Sequence, residues 1–574
     1  MTVTETRTGP AVASPSAHLD DCPPVTVRST VSAVRTANRL LATSAADARR
    51  HSAPAQWRDE HGERASHLMT ATAQGIDTDA GALTHGLGAL EEFCDRLDVL
   101  RPEHESLATR RARLVRAASS LSDPGEIRTH NEAVETLDGE IRAWNRKLEA
   151  AEDRLVPLLA SADTAAEARD LAASAPDVSD LRDRLAEVVE QGPAAVARLW
   201  EGLGPVAREA LLAAIPAVLG RTDGLPASVR DQANRLVLGD ELRELRGRRE
   251  AGTLTGEQRD LLERAEAVQN ALARADRYVD PRTGDLAGAQ LWAYDPRAFG
   301  GDGAVAIALG DLDTAEHVAV RVPGITNDIL DTPTLTQEAT NLYESARTAG
   351  RGSVASLFWL GYDAPDAAWD PATLTEGRAE DGGGRLADAV DGLRASRRDH
   401  AHLTLIGHSY GSTTVGYAMS EHRPHVEDVV VAGSPGLGAD VDHASDLGAS
   451  GGHVYVARNS RDPIAMLGDQ GAVSLGTVGV GLGADPSEDD FGAVRVRAEA
   501  TDRAGYVGLG DHGKYFAPSS ESLANIGLVV AGRGADVTRA EHSYDPWWGE
   551  PQDPERDRTP GTGATGGALE YRSR

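Results

Sequence analysis

Cysteine is nearly absent from this 574-residue chain: there are two, Cys22 and Cys94. A bridge between them would tie the extreme N-terminus to a helical stretch and hold no fold together, so a disulfide scaffold is excluded. With so few thiols, and no cluster of histidines and carboxylates at ligand spacing, no metal or cofactor is expected. Long apolar runs are missing as well. Nothing approaches the roughly 18–20 continuous apolar residues of a membrane span. The polar stretch from Met1 to Pro24 lacks the cationic start and apolar run of a secretory leader, so a cytoplasmic location is expected. There is no basic block either. The chain has 58 Lys and Arg against 89 Asp and Glu, a net charge of −31. A field of that sign repels polyphosphate, which argues against nucleic acid as a partner and leaves solubility as the role of the acidity.

What is there divides along the chain. The length is too great for one hydrophobic core, so several domains are expected. Residues 1–24, rich in Thr, Ser and Pro, read as a flexible leader. Residues 25–160 repeat apolar side chains at helical spacing. Val27, Val31, Val34 and Leu41 form one stripe; Leu83, Leu87, Leu90, Cys94 and Leu97 form another. A third is Val134, Leu137, Ile141, Trp144, Leu148, Ala151 and Leu155. Alternating steps of three and four predict helices packed side by side as a hairpin or coiled coil, broken at Asp123-Pro124-Gly125. A second helical segment, 178–276, is interrupted at Ile215-Pro216 and Gly224-Leu225-Pro226.

From 277 to 543 the pattern changes. Short apolar runs at Ala304–Leu309, His317–Val322, Val354–Leu360, His402–Ile406, Asp428–Ala432, His453–Ala457 and Ala493–Val496 alternate with helical stretches. Such alternation predicts an α/β domain with a mostly parallel sheet and helices on both faces. The first two of these strands are joined too briefly for a helix, and are expected to pair antiparallel at one edge. Residues 544–574, rich in Pro, Gly and charge, read as a disordered tail, with Trp547-Trp548 as a sticky exception.

The chemistry centres on Gly407-His408-Ser409-Tyr410-Gly411. A G-x-S-x-G pentapeptide alone is common, but here a buried-type strand precedes it and a helix follows. A strand-to-helix turn this tight strains the serine and lifts its hydroxyl out of the sheet. Serine needs a base and an acid, which in this arrangement follow it at later strand ends. Asp462 follows the strand ending at Ala457, and His512 follows the strand ending near Val496. His542 competes with His512 as base; Asp440, Asp442 and Asp363 compete with Asp462 as acid. Two backbone N–H groups must also face the developing oxyanion. Tyr410 follows the nucleophile and supplies one. Ile325, in Val322-Pro323-Gly324-Ile325-Thr326, is the candidate for the other. The run Gly476–Gly483 lacks the strand-to-helix context of a dinucleotide loop and reads as a loop bordering the site.

Several blocks resemble a family of actinobacterial α/β-hydrolases long described as a domain of unknown function. They are Leu309-Gly310-Asp311 with His317–Gly324, Trp359–Pro365, Gly407–Ser412, Gly433-Ser434-Pro435-Gly436, Asp462-Pro463-Ile464 and Asp511–Phe516. They span about Leu291 to Gly532. Trp200 to Gly220, Asp223–Pro226 and Arg230–Arg235 are similar to the same family and attach the middle helices to the hydrolase unit. The resemblance implies an α/β-hydrolase fold preceded by an all-α region, with Ser409, Asp462 and His512 as a triad. Gly513 departs from the serine often found there. The first helices, with Trp57, resemble secretion-associated hairpins carrying a Trp-x-Gly turn, although Asp59 replaces the glycine; that likeness implies leaderless export and a protein partner. The expected activity is cleavage of a small-molecule or lipid-like acyl ester through an acyl-enzyme. Acyl transfer by the same triad, or an inert hydrolase domain on a helical interaction protein, are the alternatives.

Overall fold

The computed structural model describes residues 99–160, 176–367 except 281, 376–438, 441–466, 482–503, 510–542 and 553–561, with short pieces at 12–13, 96, 474–475 and 478–479. The expected leader apart from residues 12–13, the first apolar stripes up to Cys94, Trp57, both cysteines, Asp440, most of the glycine run and Trp547-Trp548 lie outside them. Two compact units are present.

In the first unit a helix over residues 99–118 (α1) is followed by Pro124–Ala160 (α2). The break falls at Asp123, whose carboxylate accepts the N–H groups of Gly125 and Glu126 and so caps α2. The stripe read from the sequence faces inward: Leu137, Ile141 and Trp144 pack on Leu100 and Leu107 of α1, with Leu148 at the margin. The Trp144 indole N–H donates to the Leu100 carbonyl at 3.2 Å, which satisfies its one polar atom.

Proline opens helix after helix. After α2 come Pro176–Val189 (α3), Pro193–Gly202 (α4), Pro205–Ala214 (α5) and the single turn Pro216–Leu219. A first-turn proline loses no hydrogen bond and has its φ preset, so Pro216, expected as an interruption, begins a turn. Ala227–Glu250 (α6) and Gly256–Ala275 (α7) complete the middle helices.

The second unit contains an eight-stranded sheet. Its strands are Ala289–Asp295 (β1), Ala304–Leu309 (β2), His317–Val322 (β3), Val354–Leu360 (β4), His402–His408 (β5), Asp428–Ala432 (β6), His453–Ala457 (β7) and Val494–Val496 (β8). Their order is β1-β2-β4-β3-β5-β6-β7-β8. From β4 through β3 to β8 neighbours run parallel; β2 is antiparallel to both β1 and β4.

That order corrects one expectation. β2 and β3 do not pair with each other, because β4 lies between them. Every residue of β4 is buried, so the strand requires neighbours on both edges and cover on both faces. Skipping one strand means crossing about 10 Å, within reach of the connection between β2 and β3. The edge instead belongs to β1, unread in the sequence, whose half-alternating burial suits an outer position.

Both faces are covered. Gly377–Ser396 (α9) and Tyr410–Tyr417 (α10) pack on Val318, Val320, Leu403 and Leu405. Thr332–Ala349 (α8) and Glu521–Val530 (α11) cover Ala319, Ile406 and Val430. The middle helices α6 and α7 join β1, β2 and β4 through Leu238, Leu242, Leu262 and Val268 against Leu291, Ile307 and Phe358. Asn234 ties α6 to the sheet by donating to the Leu291 carbonyl at 3.0 Å.

The expected disordered tail is also corrected over 553–561. Asp553 is buried and accepts from Arg495 of β8 at 2.5 Å, while Arg558 pairs with Glu521 and Glu555. Arg495 points into a packed interior, and a buried guanidinium demands a carboxylate partner. Composition alone did not reveal that a distant acid supplies it.

Candidate active site

Parallel neighbours place their C-terminal ends side by side. Val322 is opposite Gly407, His408 opposite Ala432, and Ala432 opposite Ala457. The segments beginning at Pro323, Ser409, Gly433 and Arg458 therefore emerge along one edge, in keeping with the rule for ligand sites in such sheets.

At that edge Ser409 adopts φ 55 and ψ −133 between β5 and α10. A non-glycine residue there carries strain of about 1–3 kcal/mol, retained only if the surroundings enforce it. They do. The Ser409 N–H donates to the Ala432 carbonyl at 3.0 Å. Its carbonyl accepts from the Ser412 N–H at 2.9 Å and the Ser412 hydroxyl at 2.6 Å. Ser434 Oγ stands 2.7 Å from Ser412 Oγ and extends the brace. The flanking glycines are steric requirements: a Cβ on Gly407 would lie 2.5 Å from Ser412 Cα, and one on Gly411 would lie 2.5 Å from the Pro323 and Val322 carbonyl oxygens.

The loop after β3 presses against the serine. A Cβ on Gly324 would come within 2.5 Å of Ser409 Cβ and 2.9 Å of Oγ. This loop is pinned by its own carbonyls. Tyr362 donates to Pro323 O at 2.7 Å, and the Asn327 amide donates to the Gly324 and Ile325 oxygens at 3.1 and 3.0 Å. The Thr326 N–H is taken by Pro365 O at 2.7 Å.

Asp462 and His512, fifty residues apart, meet: Nδ1 of His512 is 2.8 Å from Asp462 Oδ2. Asp462 is fully buried and well supplied with donors. Ile464 N–H donates to Oδ1 at 2.9 Å and the Tyr515 hydroxyl to Oδ2 at 2.7 Å. Since a carboxylate accepts, Nδ1 of His512 is the donor in this contact, which leaves Nε2 on the other side of the ring. Burial and the Asp462 charge push the Tyr515 phenol well above its ordinary range, so it remains a donor. The same oxygen accepts the Asn459 N–H at 3.0 Å, fastening the loop that carries Asp462.

His408, between Gly407 and Ser409, stacks on His512 with ring centroids 4.9 Å apart. Its Nε2 lies 3.0 Å from the His512 carbonyl oxygen and donates to it, which assigns the tautomer. Burial lowers its pKa well below the usual imidazole value, with the neighbouring His512 and Arg321 acting in the same sense. Arg321 on β3 is 2% exposed, pairs with Glu338 at 2.6 Å and lies over the Phe516 ring at 4.2 Å. His512 makes no hydrogen bond to Ser409 Oγ among the described residues; its ring stacks on His408, the residue that precedes the serine.

The competitors among the described residues make other contacts or face solvent. His542 approaches the Ala493 carbonyl and Asp489. Asp442 is exposed, and Asp363 faces Arg378 at 3.4 Å. Gly513 is exposed with open space where a side chain would project, so the absent serine leaves no hole. Sequence reading gave no role to Tyr515, His408, Ser412 or Arg321. A signal existed for Tyr515: His512–Lys514 is a 3-10 turn, in which residues three apart eclipse, so Tyr515 reaches the same carboxylate as His512.

Residues 295–471 match the sequence profile of a family described as Alpha/beta hydrolase. The chain contains an α/β-hydrolase domain. The uncharacterized protein Rv2079 of Mycobacterium tuberculosis is 35% identical over 373 residues, 60% of this chain and 56% of its own length. The uncharacterized protein Mb0988c of Mycobacterium bovis is 35% identical over 182 residues, 30% of this chain and 65% of its own. The chain thus spans little more than half of the first of these relatives. No helix among the described residues is long and apolar enough to cross a membrane.

Two outcomes follow from the buried groups behind the serine. Tyr515→Phe removes a donor to Asp462 and strands the buried Asn459 N–H, which costs about 1–3 kcal/mol in urea denaturation; an unchanged midpoint would contradict the assignment. His408 has a folded pKa below its unfolded value of about 6.5, so the unfolded chain binds the extra proton as pH falls. Its contribution to stability is present above that value and declines below it, with a limiting slope of about 1.4 kcal/mol per pH unit. His408→Gln should flatten the stability profile between pH 7 and 5 relative to wild type; superimposable slopes would refute the burial argument.

Proposed function

We propose that the domain is a serine hydrolase that cleaves carboxylic esters through an acyl-enzyme. The observation that carries this reading is the strained Ser409 turn on the same sheet edge as the 2.8 Å Asp462–His512 contact. In the proposed cycle Ser409 Oγ attacks the ester carbonyl while Nε2 of His512 takes the hydroxyl proton. Asp462 and Tyr515 hold the resulting imidazolium in orientation.

The tetrahedral oxyanion is received by the Tyr410 N–H at the start of α10 and by the Ile325 N–H. In the pinned loop the carbonyls of Pro323, Gly324 and Ile325 are taken by side chains, and Thr326 N–H by a backbone oxygen. Among the described residues nothing takes the Ile325 N–H, which suits it to the incoming oxygen. Collapse breaks the C–O bond, and His512 returns its proton to the departing alkoxide. Water, deprotonated by the same imidazole, then attacks the acyl carbonyl and releases Ser409. The substrate is a small or lipid-like acyl ester.

Hydrolysis of p-nitrophenyl esters of graded chain length tests the proposal. Ser409→Ala and His512→Ala should each lower kcat/KM by about 10³-fold or more with the fold intact by circular dichroism. Either variant retaining wild-type turnover would refute the assigned roles.

A further inference from the structure

A second constellation lies at the opposite end of the sheet. β5 runs from His402 to His408, so its N-terminal end is about 20 Å from Ser409. There His400, just before β5, and His425 and Glu427, just before β6, come together although 25 residues separate the first two in sequence. His400 Nε2 is 3.3 Å from Glu427 Oε1, and His425 Nδ1 is 3.6 Å from the same oxygen. Adjacent donors on one tetrahedral ion with bonds of about 2.0–2.2 Å are separated by about 3.3–3.5 Å.

The scaffold is preorganised. The Arg394 guanidinium, on α9, donates to the His425 carbonyl at 2.9 Å, the Ala401 carbonyl at 2.5 Å and Glu427 Oε2 at 2.5 Å. One side chain thereby pins both histidine-bearing segments and half of the carboxylate. The Leu403 N–H adds 2.6 Å to the same Oε2, and the Glu427 N–H donates to Leu403 O at 3.0 Å. Oε1, buried at the atom level, accepts no hydrogen bond among the described residues and faces the two imidazoles. A carboxylate fixed through one oxygen, with its other oxygen facing two imidazole nitrogens, is a ligand arrangement whose supporting hydrogen bonds are already made.

We propose that His400, His425 and Glu427 bind a divalent transition-metal ion of the zinc class, with water completing the coordination. No local spacing links residues 400 and 425; only the register of β5 and β6 brings them together. Placed at the opposite end of the strands from Ser409, the ion would touch no reacting atom. It would clamp the entries to the adjacent inner strands β5 and β6 and stabilise the folded state by mass action.

The test titrates the chelator-stripped full chain with Zn²⁺ by calorimetry and with Co²⁺ by visible absorption. One equivalent should bind, giving ligand-field bands of a four-coordinate N/O site, and Zn²⁺ should raise Tm. The exposed pair His400→Ala with His425→Ala should weaken binding by roughly 100-fold and abolish the Tm rise, and Glu427→Gln by at least about tenfold. His453→Ala, whose imidazole sits against Asp428 at 3.3 Å, should bind as wild type. Absence of a binding isotherm for the wild type, or an unchanged one in the double variant, would overturn the proposal.

Discussion

Ser409 holds a positive φ because everything around it forbids relaxation. Helix α10 cannot slide outward without breaking the two bonds from Ser412 to the Ser409 carbonyl, and β5 cannot retreat from the paired strands β3 and β6. Glycines at 407 and 411 let strand, helix and the loop after β3 occupy space that a methyl group would fill. Strain of this size is small against the burial of a central strand, where each large aliphatic side chain contributes about 1.5–3 kcal/mol. The sheet can therefore impose a conformation that the residue alone would leave.

The same constraint organises the groups behind the serine. With β5, β6 and β7 ending level, the loop after β7 delivers Asp462 to a buried position, and the turn after β8 brings His512 to it. Tyr515 and His408 add what a lone Asp–His contact lacks. One keeps the carboxylate loop fastened at Asn459, and the other supports the ring of His512 on its face. Arg321 is a nearby positive charge that favours a neutral His408.

Much of this was legible from residue order. The G-x-S-x-G turn, the parallel strands and the sequence Ser, Asp, His follow from local pattern, since each strand end is marked by its own apolar run. The helix α2 stripe was legible for the same reason. The parts that were not legible depend on partners distant in sequence. β1 reads as a strand only once β2 lies beside it, and the insertion of β4 between β2 and β3 leaves no local mark. Asp553 looked like part of a charged tail because its meaning lies in Arg495. His408 looked like filler in a pentapeptide because its partner is a carbonyl at position 512. The histidines at 400 and 425 converge through strand register alone.

If the strained turn makes Ser409 the nucleophile, as proposed, the site of covalent capture reports it. The full chain is treated with a fluorophosphonate, digested and mapped by mass spectrometry. A single phosphonylated residue, Ser409, is expected, with labelling lost in Ser409→Ala and strongly slowed in His512→Ala. A stable adduct on another residue, or undiminished labelling of Ser409→Ala, would contradict it.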